Sequence, residues 1–117
     1  MITANDIKRS IEENGNIVHL NELYDDLSYY ARFYSSYESY QAAIRANLEA
    51  HCRESKVYNG NGKDMFCMVL KRTGIYTLRE YEFIKEIVEN MSTHTEKNKG
   101  KILNICKKVL LEERPYL

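Results

Sequence analysis

Glycine and proline interrupt regular structure more strongly than any other residues, and this chain of 117 residues contains five glycines and one proline. Their positions therefore mark the joints of the fold. Thr3 can cap a first helix in which Ile7 and Ile11 recur four residues apart, and Asn14-Gly15 stops it with a residue that tolerates left-handed backbone. The alternating stretch Ile17-Val18-His19-Leu20 reads as a short strand, and Asn21 can cap a second helix carrying Leu23, Tyr24 and Leu27. A tyrosine-rich connection, Tyr29 to Tyr37, leads to the longest helix. It starts near Ser36 or Glu38 and runs to about Glu54, with Tyr40, Ile44, Leu48 and His51 along one stripe. Val57-Tyr58 is expected to be extended and Asn59 to Asp64 to form a polar loop. Met65 to Leu70 and Ile75 to Leu78 read as two strands joined by the tip Lys71-Arg72-Thr73-Gly74, a hairpin.

Beyond the hairpin, Tyr81 to Met91 and Ile102 to Leu110 carry the spacing of two more amphipathic helices. Ser92 to Gly100 separates them as a loop, and Arg114-Pro115 ends the second. The order helix, strand, helix, helix, strand, strand is that of a winged helix-turn-helix. The expected fold is thus a helix-rich α+β domain, three helices plus a small β-hairpin wing over residues 1–80. A helical extension over residues 81–117 serves either dimerisation or attachment to a catalytic partner, because its apolar stripes need cover. No internal repeat is present.

The composition, 44% hydrophobic and 29% charged, suits a single globular domain, with one core and no deep cleft between two lobes. No run reaches the roughly 18 to 20 apolar residues of a membrane helix, and Met1 to Asp6 lacks the basic stretch and apolar core of a signal peptide. A cytoplasmic location is expected. Three cysteines without CxxC spacing, Cys52, Cys67 and Cys106, fit buried thiols in a reducing compartment. The zero net charge conceals an uneven distribution. Residues 1–40 carry −4, residues 41–79 carry +4, and residues 80–117 balance. A basic segment in an otherwise neutral chain is the usual footprint of phosphate contact.

A winged helix lays its third helix in the major groove and reaches the backbone or a neighbouring groove with its hairpin. At 100° per residue, the face opposite Tyr40, Ile44 and Leu48 presents Ala42, Ala46, Glu49 and Arg53, flanked by Ser39 and Arg45. The alanines permit close approach, and Arg45 can bond guanine bidentately or hold a phosphate. Lys56 follows the helix, Lys71-Arg72 form the hairpin tip, and Lys63 and Arg79 flank the hairpin at its base. Together they define a two-point grip on double-stranded DNA, provided the charges converge on one surface. The same residues also admit a plainer reading. Arg45, Glu49 and Arg53 at i, i+4, i+8 form an intrahelical charge ladder, and a basic hairpin tip also serves solubility.

Several pieces of residues 4–80 resemble a known family. They are Asn14-Gly15 before a strand, Leu20-x-Glu22-Leu23-Tyr24, Ile44-Arg45-x-x-Leu48-x-x-His51, Ser55, Asp64-x-Phe66, and Gly74-x-Tyr76-x-Leu78-Arg79. Their order and separations resemble the winged-helix DNA-binding domain at the N-terminus of restriction-type and HNH endonucleases. The resemblance implies duplex DNA as ligand and restriction or phage defence as context. Tyr76 stands where that family often has Trp. The expectation is a non-catalytic DNA-recognition module or regulator with no cofactor, acting as a homodimer or beside a nuclease partner. The rival expectation is a protein-interaction module, an adaptor or inhibitor, that uses the same surface.

Other chemistry was weighed residue by residue. The His-Asn-His set of the nuclease is missing, since His19, His51 and His94 lie in unrelated contexts. Glu54-Ser55-Lys56 has the ExK form of Mg²⁺-dependent nucleases, but it ends a helix and its upstream Asp25 and Asp26 lie in another. His51, Cys52 and Cys67 could be written as a zinc site, yet adjacent residues on a helix point about 100° apart. His51 is better read as a packed histidine bonded to backbone. Tyr29, Tyr30, Tyr34, Tyr37 and Tyr40, with Arg32 among them, could stack on single-stranded bases. The plainer expectation is a wall between helices two and three with hydroxyls reaching water. Glu22, Asp25 and Asp26 are expected at the start of helix two, where they suit its dipole.

Overall fold

The computed structural model describes residues 1–58, 63–91 and 99–112. The first helix, α1 (Ala4–Glu13), is capped by Thr3 in a reciprocal capping box with Asp6, and Asn14 closes it before Gly15 turns left-handed at φ +99°. Next come β1 (Ile17–His19) and α2 (Leu20–Asp26). His19, not Asn21, is the cap of α2: its Nδ1 accepts from Asn21 N, while Glu22 accepts from His19 N. The helix thus begins directly out of the strand, which a reading that reserves caps for Asn, Asp, Ser and Thr cannot anticipate. Because α2 is so short, Asp25 and Asp26 fall at its C-terminal end; only Glu22 lies in the first turn.

A 3₁₀ helix over Ser28–Phe33 fills most of the expected connection. Ser36 then caps α3 (Tyr37–Ala50). This helix stops four residues short of Glu54, so Arg53 and Lys56 lie in the turns beyond it and Arg53 leaves the helical face on which spacing had placed it. Val57 also lies in a turn, and Tyr58 N donates to Ser55 O, in place of the expected extended pair. Residues 59–62 of the polar loop fall outside the described residues.

The hairpin forms as its spacing predicts, with β2 (Phe66–Leu70) and β3 (Ile75–Leu78). It joins β1 in a three-stranded antiparallel sheet of order β1-β3-β2, with a register irregularity between Met68 and Leu70. A further 3₁₀ turn (Arg79–Tyr81) precedes α4 (Ile84–Met91), which starts later than expected. The last helix, α5 (Lys99–Glu112), begins at Lys99, so Lys99-Gly100 is helical. The remainder of the expected loop, 92–98, and Arg114-Pro115 lie outside the described residues. The result is a helix-rich α+β fold.

Strand side chains alternate between faces, and here both faces are buried. Val18, Phe66, Tyr76 and Leu78 meet Ile7, Ile11, Leu23, Tyr40, Ile44 and Leu48 of α1 to α3. On the opposite face, Ile17, Val69 and Ile75 meet Ile84, Val88, Ile102, Cys106 and Leu110 of α4 and α5. The stripes of the last two helices therefore find their cover within the chain. Lys107 of α5 also reaches Glu22 at 2.6 Å, tying that helix to the cap of α2. Among the described residues, no helix is long and apolar enough to cross a membrane.

All three cysteines are free and buried. Burial raises each thiol, Cys67 and Cys106 to about 11, so little nucleophilic thiolate forms near neutrality. A chromogenic thiol reagent at about pH 8 is expected to leave all three unreacted over minutes in the native protein and to titrate all three after denaturation. Rapid native reaction would contradict this packing.

Candidate nucleic-acid interface

The exposed side of α3 carries Ala42, Arg45 and Ala46, with Glu49 half-buried beside them, as the helical spacing predicts. Ser39, one turn before Ala42, lies half-buried at the N-terminal end of this face. Its hydroxyl is engaged by Ser35 and Ser36 while its backbone N–H donates to Ser36 Oγ, so it completes the N-terminal cap of α3. Arg45 Nη1 donates to Tyr24 Oη at 3.0 Å, anchoring its guanidinium against α2.

The hairpin tip is fastened to the same helix. Leu20 N donates to Gly74 O at 2.9 Å, and β1 pairs along β3 as far as His19 opposite Ile75. Gly74 sits at φ +72°, and a Cβ there would come within 3.2 Å of the His19 ring, so both conformation and space require glycine. Thr73 is buried and donates to Leu70 O at 2.7 Å, while Ile75 N donates to Thr73 Oγ1, which tightens the turn. Lys71 and Arg72 remain exposed, Arg72 with left-handed backbone at φ +65°. The hairpin tip is thus held short against α2 rather than projecting as an arm. Leu20 and Tyr24 are one helical turn apart, about 6 Å along the axis, so Arg45 and the basic tip share one short scaffold.

The remaining basic candidates are placed differently. Lys56 is exposed in the turn region after α3. Arg53 pairs with Glu82 at 2.5 Å and lies 3.7 Å from Asp64. Arg79 is only 17% exposed and bonds Glu54 through both terminal nitrogens, at 2.8 and 2.6 Å. It also donates to Asp64 Oδ1 at 3.0 Å and Phe66 O at 2.7 Å. Arg79 is consequently neutralised inside the protein, whereas Arg53, 53% exposed, is paired at the surface. Lys63 lies at the base of the hairpin, where it lines a cavity with Lys8 and His51. The candidate charges thus divide: Arg45 is held at α2, Lys71 and Arg72 lie at the hairpin tip, where Lys71 also lines a cleft with Lys85 and Glu89 of α4, Lys63 sits at the opposite end of the hairpin, Arg53 is paired at the surface and Arg79 within the protein.

Glu54, half of the ExK triplet, is the hub of this pairing. Besides Arg79 it accepts from Lys85 Nζ at 3.0 Å, Cys52 Sγ at 3.3 Å and Met68 N at 3.4 Å. Burial alone would raise its carboxyl, but the hydrogen bonds from Arg79 and Lys85 outweigh that and hold it far below the usual carboxylate range. A group whose folded value is depressed stabilises the fold above its unfolded value, about 4.3, and loses that contribution as pH falls through the acid range. The urea midpoint is therefore expected to fall steeply on acidification below about pH 5, and Glu54→Gln to flatten that dependence. An unchanged pH profile in the variant would remove Glu54 from the role of hub.

His51 takes the place expected of a packed histidine: its Nδ1 lies 2.9 Å from Asn47 O and its ring meets Phe66 edge-on. No group of three potential metal ligands occurs among the described residues. The tyrosines do form a wall, but its centre is dry, because the hydroxyl of buried Tyr40 donates to Tyr24 O at 2.7 Å instead of reaching water. Sequence reasoning missed the acids Glu54, Asp64 and Glu82 as partners of the basic candidates, and it missed Lys8. The ion pairs span up to 29 residues of sequence and leave no periodic signal. The chain matches no protein-family model, no curated protein and no solved structure.

Proposed function

We propose that the chain is a winged-helix protein that binds double-stranded DNA without covalent chemistry, as a recognition module or regulator of the restriction and phage-defence kind. Strand order β1-β3-β2, with β1 between the first two helices and the hairpin after α3, supports the topology. The observation that carries the reading is the joint anchoring of Arg45 and the Lys71-Arg72 tip to one turn of α2. That arrangement holds a groove-facing helix with a small-residue surface beside a rigid cationic contact. Phosphate contacts supply affinity and position, while Arg45 is the residue suited to a base edge. The closing test is a gel shift at low salt with duplex and single-stranded oligonucleotides. Retardation of duplex in preference to single strands supports the reading, and no retardation of either overturns it.

Pairing of two copies through α5 would use its outward residues Ile105 and Leu111, 37% and 65% exposed. A monomeric mass by light scattering at micromolar concentration counts against it.

A second reading, a protein-interaction module, draws on a specific observation. Tyr29, Phe33 and Tyr37 are each about half exposed or more, and the Arg32 guanidinium stacks over the Phe33 ring. Aromatic residues and Arg are enriched at protein interfaces. In addition, Glu38 and Glu49 offset Arg45 along α3. Salt-insensitive capture of a polypeptide with no DNA retardation would select this reading.

A further inference from the structure

Between the first turn of α1 and the base of the hairpin lies a cavity of about 460 Å³, within the range of small-molecule sites. Lys8 and Lys63 line it, and neither forms an ion pair with any described residue. Arg79 also lines it with its charge already matched by Glu54 and Asp64, and Glu80 is the one acidic residue on the wall. The cavity therefore has two uncompensated ammonium groups against one carboxylate.

Two further features suit an anion. Ala4 and Asn5 on the wall belong to the first turn of α1, whose N–H groups have no intrahelical partner. Asp6, the carboxylate within this turn, is turned to Thr3 and Arg9, accepting from the Thr3 N–H and hydroxyl at 2.9 and 3.0 Å. His51, also on the wall, bonds Asn47 O through Nδ1. Two ammonium groups with the free N–H groups of a helix's first turn behind them suit the compact anionic oxygens of a phosphate group.

We propose that this cavity binds the phosphate group of a small phosphorylated metabolite, held by Lys8 and Lys63 with the first turn of α1 behind it. A DNA backbone phosphate offers the same chemistry, but β2 separates this end of the sheet from the Lys71-Arg72 tip by about 16 Å for five residues. The proposal is independent of DNA binding.

The test is an amide-resolved NMR titration of the full chain with inorganic phosphate and with ribose 5-phosphate, at constant ionic strength. Saturable shifts of the Ala4 and Asn5 amides are expected with both. Lys8→Ala combined with Lys63→Ala should weaken this binding at least tenfold, and its unaltered spectrum elsewhere will show that these exposed positions leave the fold intact. Lys71→Ala with Arg72→Ala should leave it unchanged. Absence of saturable shifts overturns the proposal. So does a loss of duplex retardation in the Lys8/Lys63 variant equal to its loss of phosphate binding, which would place the lysines on the DNA surface.

Discussion

Replacing Arg79 by alanine is expected to destabilise the protein by about 2–4 kcal/mol, the range for breaking a largely buried ion pair from one side. For a chain of this size that lowers the melting temperature by roughly 10 °C. The loss is large because one guanidinium ties together several chain segments at once. It bonds Glu54 after α3, Asp64 ahead of β2, and the carbonyl of Phe66 within β2, from a position at the end of β3. Without it, Glu54 and Asp64, each about one fifth exposed, keep their charge with fewer donors. Lysine cannot restore the bidentate contact, so Arg79→Lys should recover only a minor part. Thermal unfolding followed by circular dichroism measures both; a change within about 1 °C for Arg79→Ala would show that the network adds nothing. This variant tests the fold and not the duplex contact, since the Arg79 guanidinium is bound within the ion-pair cluster.

Changing Arg45, Lys71 and Arg72 together to alanine is expected to weaken duplex binding roughly 100-fold, taking about 1 kcal/mol for each lost contact. Stability should hold to within about 1 kcal/mol, because the only described hydrogen bond lost is that of Arg45 to Tyr24. Fluorescence anisotropy with a labelled duplex gives the affinity, and a melting curve on the same sample separates loss of contact from loss of fold. Retained affinity in a folded triple variant would move the binding surface elsewhere on the molecule.

Local rules carried most of the fold. Thr3 and Ser36 announce helix starts because side-chain oxygens satisfy first-turn N–H groups, and both occur where the sequence places them. Gly15 and Gly74 mark the two joints where the backbone turns left-handed. The tip Lys71 to Gly74 follows from two apolar runs of strand length. What local rules could not supply was partnership across the chain. Charge counting placed Arg53, Arg79, Arg45 and Lys71 in one basic segment, but Glu54 and Asp64 hold Arg79 in a largely buried cluster that Lys85 joins, and Glu82 of the following segment pairs with Arg53 at its exposed edge. The end of α3 moved for a related reason: the residues after Ala50 serve the sheet edge. His51 O accepts from Met65 N and Phe66 N, and Glu54 accepts from Met68 N. His19 as a helix cap was invisible because imidazole is rarely read as an acceptor, although its Nδ1 lone pair serves as well as a carboxylate oxygen for Asn21 N.

The placement of the exposed cations has a quantitative consequence. With Arg79 neutralised internally and Arg53 already paired at the surface, Arg45, Lys71, Arg72 and at most Lys56 remain on this side to displace counterions from a duplex. The decisive measurement is the affinity of the unmodified chain for a duplex across a series of salt concentrations. Three to four phosphate contacts give a slope of log affinity against log salt between about −2.5 and −4. A slope near zero, or no duplex binding at low salt, would contradict a DNA-reading role for the surface around α2.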